Sequence, residues 1–131
     1  MANQAATLQG SAQFSAWTLQ GNATTLVAYS NTGGTLSQSS VYTDLTLITT
    51  ANGYAPITLS AAGWTFSNGV LTRANETWSA TGVWSAVMTG YAITFGSVLL
   101  MYRDLTDSGD VPAPFTAAAG KKVRVDLTTV L

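Results

Sequence analysis

The chain contains no histidine and no cysteine. Without histidine it lacks the commonest general base near neutral pH and the commonest transition-metal ligand. Without cysteine it can form no disulfide, no thiolate metal site and no thiol nucleophile. Charge is scarce as well: Asp, Glu, Lys and Arg make up 8% of the 131 residues, against roughly 25% in an average soluble domain. Five cations and six anions leave a net charge of −1, far from the clustered basic surface that displaces phosphate counterions, so no nucleic-acid partner is expected. The basic cluster Lys121, Lys122 and Arg124 reads as a solvated strand face or a guarded sheet edge. Apolar runs such as 98–102 (VLLMY) are too short to span a bilayer. The opening MANQAATLQG has neither the basic nor the apolar region of a secretory signal. The protein is therefore expected to stay soluble where it is made, with no membrane partner.

What fills the chain is Thr, Val, Tyr, Trp and Phe in short runs broken by Gly, Asn, Asp and Ser, the texture of strands and turns. Segment 24–30 (TTLVAYS) predicts a first strand, closed by the turn-rich Asn31-Thr32-Gly33-Gly34. Segment 44–49 (DLTLIT) alternates, with Leu45 and Leu47 on one face. Asn52-Gly53 supplies a tight turn that tolerates positive φ. In 54–60 (YAPITLS), Pro56 has no amide donor, which predicts an edge strand or a bulge. Short strands follow at 64–66 and 70–73, around Ser67-Asn68-Gly69, and at 75–80. Segments 86–95 and 97–105 are predicted to form the central hairpin, turning at Gly96. A loop rich in Asp and Pro (106–114) precedes a final strand at 121–131, with Val123, Val125 and Leu127 on one face. About eight strands at spacings near ten residues imply an antiparallel sandwich, a jelly roll or a barrel. Trp84, Tyr91, Ile93, Leu99 and Met101 are expected in its core.

Residues 1–23 read as an amino-terminal arm or short helix, and 24–131 as a single β domain. The stretch 2–20 carries no charge. Phe14 and Trp17 within it fall at helical spacing and form the predicted interface with a neighbouring subunit or a larger partner. The low charge points the same way, because uncharged surface costs little to desolvate when a partner covers it. Trp17, Trp64, Trp78 and Trp84 are expected mainly as packing residues. The competing reading makes exposed rings such as Trp64 or Trp78 stacking platforms in a carbohydrate-binding sandwich.

Little remains for chemistry. Activating one of the many Ser or Thr hydroxyls needs an adjacent base, and the two lysines fall on the terminal strand. A carboxylate pair for glycoside hydrolysis would have to come from Asp44, Glu76, Asp104, Asp107, Asp110 and Asp126. Three of these lie together at 104–110, a grouping that suits a hard cation such as calcium, but without EF-hand spacing or its closing glutamate. The expectation is a protein that is no enzyme and has no catalytic residue, cofactor or metal. Asn75-Glu76-Thr77 matches a glycosylation acceptor without the secretory context that would make it one.

The order of motifs from residue 24 onward resembles a family of small tailed-bacteriophage virion proteins, of the head-decoration or tail-fibre-like kind. The matching run begins with Thr24 to Tyr29 and the step Asn52-Gly53-Tyr54-Ala55. It continues through Asn75 to Trp78, Gly82-Val83-Trp84, Gly90-Tyr91-Ala92-Ile93 and Val98 to Tyr102. A proline loop and the strand 120–127 complete it. Two positions depart from the pattern: Pro56 stands where an arginine is expected, and Ser85 where a glycine is. The resemblance implies a jelly-roll-like β-sandwich and a structural role in the virion, made in the host cytoplasm. Foremost it implies a capsid decoration (cement) protein, a homotrimer on the major capsid protein or other virion proteins. A tail-fibre, spike or collar module is the alternative.

Overall fold

The computed structural model describes residues 4–6, 21–31, 35–68, 70–109, 111–127 and 129–130. Phe14, Trp17, the expected amino-terminal helix and Asp110 lie outside the described residues, so the predicted Phe14/Trp17 interface is not placed.

The protein is an all-β antiparallel sandwich. The described residues form β1 (Gln4–Ala6), β2 (Thr24–Tyr29), β3 (Ile57–Leu59), β4 (Thr65–Ser67), β5 (Val70–Thr72), β6 (Glu76–Ser79), β7 (Gly90–Phe95), β8 (Val98–Asp104), β9 (Lys122–Val125) and β10 (Thr129–Val130). Five make the main sheet in the order β1-β8-β7-β2-β3. A three-stranded sheet β10-β5-β4 and a pair β6-β9 form the remaining ladders. The predicted hairpin β7–β8 is indeed central, and it turns at Gly96 with φ +59°. Its first strand starts later than expected, at Gly90. Met88 instead bridges Phe115. The stretch assigned to an arm contributes β1, paired with β8 through Gln4–Arg103, Ala5–Tyr102 and Ala6–Met101.

Local chemistry explains most of these elements. Asn52 (φ 53°) and Gly53 (φ 87°) both adopt the left-handed conformation, as a tight turn between the bridged Ala51 and Tyr54 demands. A Cβ on Gly53 would lie 2.1 Å from the Ser79 carbonyl oxygen, so this turn packs directly on the end of β6. Asn68 takes φ 52° between β4 and β5. Pro56 immediately precedes β3, which lies at the edge of the main sheet, as a residue without a donor requires.

Segment 44–49 is where the prediction fails. The Asp44 carboxylate accepts from Val41 N at 2.8 Å and winds 42–44 into a 3-10 turn. Leu45 then packs under the sheet while Leu47, bridged to Tyr29, is exposed. The two leucines do not share a buried face. The final strand is also broken, since β9 pairs with β6 and β10 with β5.

Both faces of the main sheet are buried. Along β2, Leu26 and Ala28 enter a large cluster with Trp64, Leu71, Trp78, Trp84, Val125 and Leu127 from the opposing layer. Val27 and Tyr29 point the other way, where Leu36, Tyr42 and Leu45 cover them. Burial on both sides is what uninterrupted apolar runs such as LVAY signify. The five expected core residues are all buried, but not on one face: Leu99 belongs to the smaller cluster. Between the pairs Ile93–Met101 and Thr94–Leu99 the register slips, leaving Leu100 as an extra residue. This bulge lets Leu100 and Met101, adjacent in sequence, both enter the large cluster.

Candidate interaction surface

The tryptophans expected as packing residues are so where they are described. Trp64, Trp78 and Trp84 are buried. Trp78 Nε1 donates to the Ala55 carbonyl at 2.8 Å and Trp84 Nε1 to that of Asn52 at 3.0 Å. The rings of Trp78 and Trp84 flank Tyr54 at 5.4 and 5.2 Å. Trp64 is roofed by the Arg73 guanidinium, 5.8 Å from the ring. That guanidinium is itself anchored on the Ser60 carbonyl at 2.7 Å. Trp64 and Trp78 therefore offer no exposed face on which a sugar could stack, which corrects the carbohydrate-platform reading.

The carboxylates are dispersed among separate structural tasks. Asp44 caps its 3-10 turn. Glu76 faces Arg73 at 3.7 Å. Asp104 Oδ1 accepts from the Tyr29 hydroxyl at 2.6 Å. Burial first, and this acidic neighbour second, push the Tyr29 phenol far above its ordinary range. Asp107 Oδ1 accepts from Gly109 N at 2.8 Å and Val111 N at 3.1 Å, folding into its own loop. Asp104 and Asp107 thus serve different partners. Among the described residues no three acidic side chains gather as a cation cage would require. Lys122 and Arg124 are exposed along β9. With its amide oxygen turned toward Arg124, Asn75 accepts from Nη2 at 2.9 Å and Nε at 3.0 Å.

A shallow cavity of about 340 Å³ opens beside the 3-10 turn, lined by Asn31, Thr35, Leu36, Ser37, Ser40 and Asp44 among others. Its polar groups largely serve the local backbone. Ser40 Oγ accepts from Ser37 N, and Asn31 bridges the Asp44 carbonyl and Thr46 N. No aromatic ring lines it.

A different feature stands out at the end of the main sheet where β2 and β8 finish and β7 begins. Three segments meet there. Segment 46–48 runs beside the end of β2 through Ser30 N to the Thr46 carbonyl and Ile48 N to the Ala28 carbonyl. Segment 81–88 leads into β7, and is fastened to the first by Thr49 N to Ser85 Oγ at 3.0 Å and Asn52 Nδ2 to the Val83 carbonyl at 2.6 Å. Segment 105–115 leaves β8 as a small hairpin. Asp107 N donates to Val111 O, Ala113 N to Leu105 O, and Leu105 N to Thr89 O.

These three segments carry every large hydrophobic side chain that is exposed among the described residues: Leu47 (40%), Val83 (70%), Val87 (41%) and Val111 (56%). Pro112 and Pro114 beside Val111 are exposed too. Neither 46–53 nor 81–88 contains a charged residue, and 105–115 contains Asp107 and Asp110 alone. Lone exposed apolar residues are ordinary, and four of them on loops tied by hydrogen bonds make this end of the sheet the candidate contact surface. Sequence reading placed the interface at Phe14 and Trp17, which lie outside the described residues, and did not single out these four. No local signal marks them, because charge is absent from all of 45–72 and 77–102. No family model, curated protein or solved structure matches the chain.

Proposed function

We propose that this protein is a structural subunit of a bacteriophage particle, most simply a capsid decoration (cement) protein that binds other virion proteins through uncharged contacts. The observation that carries the assembly role is the gathering of Leu47, Val83, Val87 and Val111 on three linked loops nearly free of charge. The particle itself is supplied by the sequence resemblance. Such a surface binds by area burial and neutral hydrogen bonds, which salt leaves largely intact. The scarcity of charge elsewhere fits a part that is bound once and stays. A tail-fibre, spike or collar position is the second reading within the same class.

The test is quantitative mass spectrometry of purified particles before and after a high-salt wash. Hundreds of copies per particle that survive the wash support decoration of the head. A few to a few dozen place the protein in the tail or collar. Absence from particles, or release by salt alone, overturns the reading.

A further inference from the structure

The dipeptide Asn-Gly occurs twice in the chain, at 52–53 and 68–69. It is the pair at which an asparagine side chain reacts most readily with its own backbone, since glycine has no side chain to crowd the amide nitrogen that follows. We infer that the two copies have opposite fates: Asn68 is a site of spontaneous deamidation, and the fold protects Asn52.

The reaction needs no catalyst, and water is its only co-reactant. The glycine backbone nitrogen attacks the asparagine Cγ and gives up its proton. The Cγ–Nδ2 bond breaks, and the side-chain nitrogen leaves as ammonia. Water then opens the five-membered imide at either of its carbonyls, leaving aspartate or isoaspartate. Ring closure requires the rigid peptide plane after the asparagine to turn and the carboxamide to swing onto its nitrogen. Whether the fold permits those two movements decides the rate.

Both asparagines are exposed and both stand at positive φ, so neither solvent access nor backbone conformation separates them. Their bonding does. Asn52 Nδ2 donates to the Val83 carbonyl at 2.6 Å, which holds the carboxamide away from its own backbone. Its Cγ lies against Gly82, where even an added Cβ would come within 3.1 Å. The Asn52 carbonyl, which belongs to the peptide plane that has to turn, accepts from Thr81 N at 2.9 Å and Trp84 Nε1 at 3.0 Å. On the far side of that plane, Gly53 packs on the Ser79 carbonyl.

Asn68 has no such cage. It follows β4, the outer strand of its sheet, which is joined to β5 by three residue pairs. No described residue hydrogen-bonds its carboxamide. An acid formed there would be the first charge anywhere in 45–72. As isoaspartate it would also add a methylene to the main chain, in the turn that sets Ser67 opposite Val70.

The experiment incubates the full-length protein at mildly alkaline pH, folded and in guanidinium. Samples taken over time are digested with chymotrypsin, which leaves the two sites on separate peptides, and conversion of amide to acid is read by mass spectrometry. Digestion in heavy-oxygen water marks any acid formed during handling. In the folded protein Asn68 should convert at least about tenfold faster than Asn52, because freeing Asn52 requires several hydrogen bonds to open together. In guanidinium the two rates should converge, since both asparagines then precede glycine in a free chain. Native tryptophan fluorescence throughout the folded series would show that Asn68 reacts from the native state. The inference is overturned if Asn68 stays an amide in the folded protein or if Asn52 keeps pace with it. It is equally overturned if the same difference persists in guanidinium, where no fold is left to cause it.

Discussion

Trp84 is held on several sides: its indole donates to the Asn52 carbonyl, and its ring meets Tyr54 at 5.2 Å and Phe115 at 5.6 Å. It thereby joins the Asn52-Gly53 turn, the segment leading into β7 and the end of the 105–115 hairpin in one contact. Trp84→Ala removes the ring and leaves the Asn52 carbonyl with the Thr81 amide as its donor. The expected loss is about 3–5 kcal/mol, the range for emptying a buried aromatic site, read from the shift of a guanidinium unfolding curve. A loss below about 1 kcal/mol would mean that the ring lies at the surface. Gly90 shows the same close fit from the opposite direction. A Cβ there would approach the Tyr29 ring and hydroxyl at 2.3 Å and the Arg103 carbonyl oxygen at 2.5 Å. Tyr29 can reach Asp104 only because β7 opens on a residue without a side chain.

Among the elements, the 105–115 hairpin depends most on a single side chain. Asp107→Ala takes away an acceptor used by two backbone amides, at a cost of about 1 kcal/mol. The effect should be local: faster hydrogen exchange at Gly109 and Val111, with β7 and β8 unaffected. Adding a chelator to the wild type should leave those two amides as protected as before; accelerated exchange would reveal a bound cation that the turn requires.

How far the elements were legible depended on how local their causes are. Asn52-Gly53, Asn68 and Gly96 announce their turns because positive φ is a property of the residue itself. Pro56 announces an edge for the same kind of reason. Segment 44–49 misled because DLTLIT alternates like a strand, while its path is decided by a carboxylate reaching back to Val41. The Leu100 bulge has no local signature at all, since it exists only as a mismatch between two strands. The exposure of the four apolar residues was hidden for a related reason. Whether a valine such as Val83 is exposed depends on which distant segments pack beside it, and residue type does not record that.

For the molecule as a whole, pH sensitivity falls at the alkaline end. Burial raises the phenols of Tyr29, Tyr54, Tyr91 and Tyr102, and Asp104 adds to the effect at Tyr29 and Tyr102. In the unfolded chain these groups ionise near pH 10, at about their ordinary value. Above that, the unfolded state releases protons that the folded state retains, so stability falls as pH rises. Their contribution is fully present below about pH 10 and is lost progressively above it. Tyrosinate absorbance and strand ellipticity, followed together, should therefore change in one transition. Full tyrosinate absorbance near pH 10 in a chain that is still folded would show that these rings are open to water.

The order of strands in the main sheet also dictates what a nascent chain must wait for. β1 and β2 are made first, yet β7 and β8, their neighbours toward the middle of the sheet, are among the last strands made. Tyr29 and Asp104, which meet where β2 and β8 finish, are 75 residues apart in sequence. Until the ribosome has passed residue 104, β1 has no partner and β2 has only the short β3. An early β-rich segment with an open edge and hardly any charge is the kind of species that associates with its neighbours on a polysome. Closing such distant contacts also makes folding slow. The scarcity of charge thus leaves the growing chain exposed, and its yield rests on how quickly the second half of the sheet is delivered.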